Sequence, residues 1–247
     1  MIRIIYEIYK WLIAFPLIFI TTILITLSTV IGSRLFGSKF WGYYPPHFWG
    51  KLWCWLFFVK VKVNKEAEIS PSTSYVFVAN HQGAYDIFSI FGFLNHNFRW
   101  MMKKSITKIP LIGMACKYSE QIFVDRSSAM AMARSIIEAK KRLRNGMSIV
   151  VFPEGTRTLD GKMSTFKKGA FKLAMDFKLP IVPLTIDGSF NILPRTSIVN
   201  IKYGKIILTI HKPIYPSKGA EDMDSVMKET YSAIQSALPA EHQTPLD

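Results

Sequence analysis

Cysteine is scarce in this 247-residue chain, where Cys54 and Cys116 are the only two. Their isolation excludes a multi-cysteine metal site, a paired redox motif and a disulfide framework. The globular part therefore suits a reducing, cytosolic compartment. Acidic residues are also few: 17 Asp and Glu face 31 Lys and Arg, for a net charge of +14. Such a balance favours anionic partners, which include nucleic acid, lipid headgroups and phosphorylated substrates. The basic residues are scattered and form no recognised binding motif, which argues against nucleic acid as the partner. There is no internal repeat. Hydrophobic residues make up 49% of the chain and aromatic residues 14%, so extended disorder is excluded as well. The length suits one globular domain plus an anchor better than two full domains.

Residues 11–32 contain no charged side chain, and Lys10 and Arg34 flank them. At about 1.5 Å per residue, a helix of this length covers roughly the 30 Å of a hydrocarbon core. Pro16 and the threonines are compatible with a membrane helix. A signal peptide fits less well, because the apolar region is long and Ile31-Gly32-Ser33 is a poor cleavage site. Residues 48–61 form a second apolar stretch rich in tryptophan (Trp49, Trp53, Trp55) and broken by Lys51 and Lys60. It is too short and too charged to span, and reads equally as an interfacial helix or a core helix. The anchor therefore either crosses the bilayer or lies in one leaflet as half of a helical hairpin. We expect a membrane-anchoring unit over residues 1–61 and a globular domain over residues 62–247.

The globular part alternates short apolar runs with amphipathic stretches. Strands are expected at 75–79, 121–124, 148–152 and 181–186, and helices at 87–94, 129–144, 170–177 and 225–237. Ser127 or Ser128 caps the 129–144 helix, and Asn145-Gly146 stops it. Residues 198–203 and 206–211 flank Gly204-Lys205 and read as a hairpin. Residues 239–247 read as a loose tail. Alternating strands and helices predict an α/β domain with a mixed sheet flanked by helices.

Four short blocks carry candidate chemistry. The first is Asn80-His81-Gln82-Gly83-Ala84-Tyr85-Asp86, at an expected strand end. A histidine titrates near neutrality, and an Asp five residues on can fold back to hold one ring nitrogen while the other accepts a proton. The same spacing also fits a turn residue followed by a helix cap. The second block, Phe123-Val124-Asp125-Arg126, again places an Arg after a strand. The third, Phe152-Pro153-Glu154-Gly155-Thr156-Arg157-Thr158, presents a carboxylate, a hydroxyl and a guanidinium on one turn. Arg157 and backbone N–H groups near Gly155 could hold a phosphate there, or the turn could be an ordinary solvated one. Lys103 and Lys104 add positive charge after residues 99–102. The fourth block is Val182-Pro183-Leu184.

In this order the four blocks resemble the motifs of the 1-acylglycerol-3-phosphate acyltransferase family of glycerolipid synthesis. The resemblance covers about residues 72–213 together with the amino-terminal apolar helices. It implies a glycerol-3-phosphate acyltransferase-like α/β fold preceded by a membrane-anchoring helical segment. It also implies transfer of a fatty acyl group from acyl-CoA or acyl carrier protein to the sn-2 hydroxyl of lysophosphatidic acid, giving phosphatidic acid. His81 would be the general base and Asp86 its partner; Lys104, Arg126, Glu154, Gly155, Thr156 and Arg157 would bind the glycerol phosphate. No cofactor or metal is implied, because the acyl donor is itself a substrate. The partners implied are membrane lipids, lysophosphatidic acid and the acyl donor, at a bacterial-type inner membrane with the catalytic domain facing the cytoplasm. Gly83 stands where many members carry Ser, Glu120 where many carry Gly, and Thr158 in place of a frequent Ser. These departures remove no implied catalytic group but blur the choice of acceptor, so a lyso-ornithine lipid or another lysophospholipid stays open as acceptor. Separately, a non-catalytic membrane lipid-binding protein stays open.

Overall fold

A computed structural model of the chain describes residues 1–125, 127–143, 146–216 and 222–244. The chain starts with α1 (Ile2–Tyr9), a π-helical turn over Lys10–Ala14, α2 (Phe15–Phe36), α3 (Ser38–Trp41) and α4 (Tyr44–Leu56). Next come β1 (Val59–Lys65), β2 (Val76–Ala79), α5 (Tyr85–Phe93), β3 (Phe98–Lys103), α6 (Ile112–Tyr118) and β4 (Ile122–Val124). The remainder is α7 (Ala129–Arg142), β5 (Ser148–Val151), α8 (Gly169–Asp176), β6 (Ile181–Asp187), α9 (Ser189–Ile192), β7 (Gly204–Ile210) and α10 (Asp222–Ser236). Of the two candidate capping serines, Ser128 is the cap, its Oγ accepting from the Ala131 N–H at 3.1 Å. Residues 144 and 145 of the expected helix end lie outside the described residues.

The seven strands form one sheet in the order β1-β7-β6-β2-β5-β3-β4, parallel throughout except for antiparallel β6 and β7. The central strand β2 is buried at every position. Its alternate side chains serve two cores: Phe77 and Ala79 face α4 and α5, while Val76 and Val78 join Phe171, Leu173 and Ile234 from α8 and α10. Because β2, β3, β4, β5 and β6 all run one way, their carboxyl ends and the loops that leave them share a single edge. The antiparallel β7 starts at that edge, so the loop entering it, 193–203, lies there too.

Three expectations change. Residues 198–203 form no strand; β7 pairs with β6 and β1 instead, and Ile198 is 88% exposed on the preceding loop. Within the expected tail, residues 239–244 are not loose, since Ala240–His242 form a 3-10 turn and His242 is buried, while 245–247 lie outside the described residues. Strands β1 and β3 were not anticipated, and β1 runs across the junction placed between residues 61 and 62. Its lysines alternate with Val59, Val61 and Val63 along the open edge of the sheet, where charged side chains discourage pairing with another chain.

The helical run Ile2–Phe36 is long and apolar enough to cross a membrane. Pro16 cannot donate to a carbonyl one turn back, and the π-helical turn lies immediately before that position. There Lys10 is buried, its Nζ donating to the Ile201 carbonyl at 3.2 Å and pairing with Glu7 at 2.9 Å. The second aromatic stretch is helical only as far as Leu56, enters β1 at Val59, and has a buried and an exposed face in its helical part. In α4, Trp53 stacks on Phe88 of α5 (4.4 Å, 4°) and Cys54 is fully buried, while Phe48 and Trp55 face outward. Trp53 therefore joins the amino-terminal helices to α5. Trp53→Ala is expected to cost about 3 kcal/mol, read as a single, lowered unfolding transition; an unchanged midpoint would show that α4 does not support the domain.

Candidate active site

Strand β2 ends at Ala79, and Asn80 fixes the path of the chain beyond it. The Asn80 amide donates to the Ile186 carbonyl (2.9 Å) and accepts the Ile186 N–H (2.7 Å), extending the β2–β6 ladder by a side chain. His81 therefore leaves the sheet at a fixed point. Its Nδ1 lies 2.7 Å from Oδ2 of Asp86, which is fully buried in the first turn of α5. The same Oδ2 accepts the Gly83 N–H at 2.9 Å. An acceptor carboxylate requires the proton on Nδ1, which leaves Nε2 of His81 as a base. The side chain of His81 is 14% exposed. Phe152 lies parallel to the imidazole at 3.8 Å and 6°, with Trp100 stacked behind it at 5.3 Å.

A side chain at position 83 has no room. A Cβ there would sit 2.6 Å from both oxygens of Ser189 and 2.8 Å from the Leu193 carbonyl. This accounts for glycine where the resembling family often has serine.

Glu154, expected among the substrate-binding residues, turns inward. Oε1 accepts the His81 N–H (2.7 Å) and Oε2 the Ser164 N–H (2.8 Å), with the residue 4% exposed. Burial pushes its carboxyl up from 4.5 to about 7, opposed by the Ser164 and His81 N–H donors and assisted by the charge of Asp86. The loop beyond is stitched to the same place, since the Thr158 N–H donates to the His81 carbonyl at 2.9 Å. Gly155 occupies the left-handed region at φ 78°, a conformation that favours glycine. Thr156 is exposed and Arg157 half-buried on this turn.

Lys104 follows β3 and pairs with Asp125, which follows β4, at 2.8 Å. Hydrogen bonds from Lys104 and Ser127 hold the Asp125 carboxyl well below the usual carboxylate range. These two residues line a recess of about 250 Å³ with Lys103, Ser105, Val124 and Ser127. Arg126 lies outside the described residues. The structure thus brings His81, Asp86 and Glu154 into direct contact, with the 155–157 turn beside them, and places Lys104 at the same sheet edge on its own ion pair.

The family model described as Acyltransferase matches residues 60–187, which hold all of these side chains. The chain belongs to the Acyltransferase family. Among its relatives is a 1-acyl-sn-glycerol-3-phosphate acyltransferase of Chlamydomonas reinhardtii, 31% identical over 79% of this chain and 59% of that protein. The chloroplastic 1-acyl-sn-glycerol-3-phosphate acyltransferase LPAT1 of Arabidopsis thaliana is 34% identical over 78% of this chain and 54% of its own length. The chain thus spans little more than half the length of these curated relatives. The crystal structure of the 1-acyl-sn-glycerophosphate acyltransferase PlsC of Thermotoga maritima superposes with a TM-score of 0.69 at 27% identity, covering 89% of this chain and 95% of that one.

Within this Acyltransferase-family chain, Asn80, Gln82, Ser164 and Phe152 complete the surroundings of His81, though none was singled out from sequence as a site residue. Asn80 and Gln82 had a signal in flanking His81; Ser164 acts through its backbone and had none.

The raised carboxyl of Glu154 has a stability consequence. The folded protein binds this proton more tightly than the unfolded chain does, so the group's contribution is fullest below pH 4.5 and is lost as pH rises to about 7. The loss is at most about 3 kcal/mol. Glu154→Gln carries no titrating group and should show a smaller fall in melting temperature between about pH 5 and about pH 8 than the parent. Equal slopes in the two proteins would rule out titration here.

Proposed function

We propose that this protein transfers a fatty acyl group from a thioester to the sn-2 hydroxyl of 1-acyl-sn-glycerol 3-phosphate, giving phosphatidic acid. The observation that carries the proposal is the His81–Asp86 pair, 2.7 Å apart at the end of a central parallel strand in an Acyltransferase-family chain. Relatives named for this activity supply the substrate class.

Nε2 of His81 takes the hydroxyl proton as the oxygen attacks the thioester carbonyl. The C–S bond then breaks, and the thiolate leaves to be protonated by the imidazolium or by water. An ester and a free thiol result, with no acyl-enzyme and no cofactor or metal needed. Asp86 holds the tautomer and supports the imidazolium as it forms. Lys104, Arg126, Gly155, Thr156 and Arg157 bind the glycerol phosphate as charge and N–H donors. Glu154 is assigned instead to holding the His81 loop, because both its oxygens are taken by backbone donors. Either acyl-CoA or acyl carrier protein serves as donor.

A lipid acceptor asks for a membrane-facing site, and the exposed side chains favour one. Leu111, Leu159, Ile198, Val199 and Tyr203 are exposed apolar residues on loops that leave β3 and β5 or enter β7. The exposed basic residues Lys104, Lys108, Arg195 and Lys202 stand among them. Apolar tips ringed by cations suit an anionic bilayer surface. We place the protein at a bacterial-type inner membrane, with its catalytic face on the cytoplasmic side.

Purified protein should acylate lysophosphatidic acid from an acyl thioester. His81→Ala should abolish transfer, and Asp86→Asn should lower kcat by about 10³-fold or more, both while still partitioning with membranes. Undiminished turnover in His81→Ala would sink the mechanism. A panel of lysolipid acceptors separates phosphatidic acid synthesis from use of a lyso-ornithine lipid. For the membrane face, an environment-sensitive dye at I198C, with Cys116 replaced by Ser, should be quenched by brominated acyl chains in reconstituted vesicles. Water-like, unquenched emission would turn that edge away from the bilayer.

A further inference from the structure

Residues 239–244 return to the catalytic loop from the far end of the fold. His242 is buried, with Nδ1 3.4 Å from Nε2 of Gln82, the residue after His81. The Gln82 amide nitrogen also donates to the Gly161 carbonyl at 3.2 Å. A carbonyl needs a donor, so this contact fixes which end of the amide faces it, and Nδ1 of His242, which also lies 3.9 Å from Oδ1 of Asp187, is then placed as its acceptor. The imidazole lies directly on Gly161: a Cβ there would sit 2.7 Å from Cδ2 of His242, and φ is +89°. Phe190 packs edge-on against the same ring at 6.0 Å. Two residues on, the Thr244 hydroxyl donates to the Met163 carbonyl at 3.0 Å, and that carbonyl also receives the Tyr231 hydroxyl of α10 at 3.3 Å. Gln235 of α10 donates to the Thr244 carbonyl, which secures the segment itself.

The stretch 161–164 is therefore held between two sets of contacts. On its inner side are Gln82 and, through the Ser164 N–H, Glu154; both reach the backbone of the His81 loop. On its outer side are His242, Thr244 and Tyr231. We propose that residues 239–244 brace the catalytic loop and that His242 is a positioning residue for His81, acting through Gln82 and Gly161 and touching no reacting atom. The proposal rests on the His81–Asp86 reading of the site.

The test uses the full chain in lipid nanodiscs, with His242→Leu and His242→Asn compared by amide hydrogen exchange and by steady-state kinetics with lysophosphatidic acid and an acyl-CoA. In His242→Asn the amide oxygen stands where Nδ1 does and keeps an acceptor for Gln82. His242→Leu should speed exchange across residues 158–164 about tenfold. It should also lower kcat about tenfold, with both KM values within about twofold of the parent. His242→Asn should recover most of both losses. Unchanged exchange in His242→Leu, or equal loss in the two variants, would overturn the brace. Should His242→Leu fail to fold, Thr244→Val removes the hydroxyl on Met163, and unchanged exchange at 158–164 in that variant overturns it equally. An inactive parent whose exchange still responds to His242→Leu would refute the acyl-transfer reading and leave the brace standing.

Discussion

A buried carboxylate joins the ends of two neighbouring parallel strands. Strands β2 and β5 run side by side and leave the sheet at the same edge, where the next N–H groups along the chain have lost their ladder partners. Glu154, just after β5, supplies an acceptor to the His81 N–H after β2 and to the Ser164 N–H on the returning loop. Asn80 plays the corresponding part toward β6. The peptide of His81 is thus held from both sides before Asp86 touches the ring. An imidazole with this much support keeps its bearing without help from a bound molecule, which is what preorganisation requires.

The parts that sequence made legible are those where local pattern and tertiary role agree. Apolar runs at 75–79, 148–152 and 181–186 became the buried core strands, and the Asn80 to Asp86 block fell at a strand end with the spacing a turn needs. Glu154 was found but its direction was not, because a carboxylate on a Gly-containing turn looks the same facing in or out, and its second partner is a backbone N–H. The alternation Val59-Lys60-Val61-Lys62-Val63 carried a clear period of two, yet it came directly after an aromatic run that drew the reading toward helix. Strand β3 has no β-branched residue in Phe98–Lys103 and gave no such signal. The supposed hairpin had turn chemistry at Gly204-Lys205, but β7 gained two distant partners and left Ile198 in the open. His242 could not be read at all, since only the fold brings it to Gln82.

The amino-terminal helices are not a detachable leash. Lys10 reaches the Ile201 carbonyl, Tyr6 and Tyr9 donate to carbonyls at the end of α4, and Trp49 donates to Thr22. These bonds tie the apolar helix to the loop that enters β7 and to the helix that precedes β1. Phe48 and Trp55 of α4 face outward on a helix that is itself bonded to the apolar run. The orientation of the catalytic edge relative to the apolar helix is set by packing and not by linker length.

The tight seat of Gly83 carries a consequence for related chains. Its neighbours are the main-chain and hydroxyl oxygens of Ser189 and the carbonyl of Leu193, at the two ends of the short helix after β6. No rotamer choice relieves a clash with backbone. A side chain at position 83 requires the turn after β6 to move, so positions 83, 189 and 193 are sterically coupled. Where related chains carry a side chain at the first of these, the path after β6 should differ.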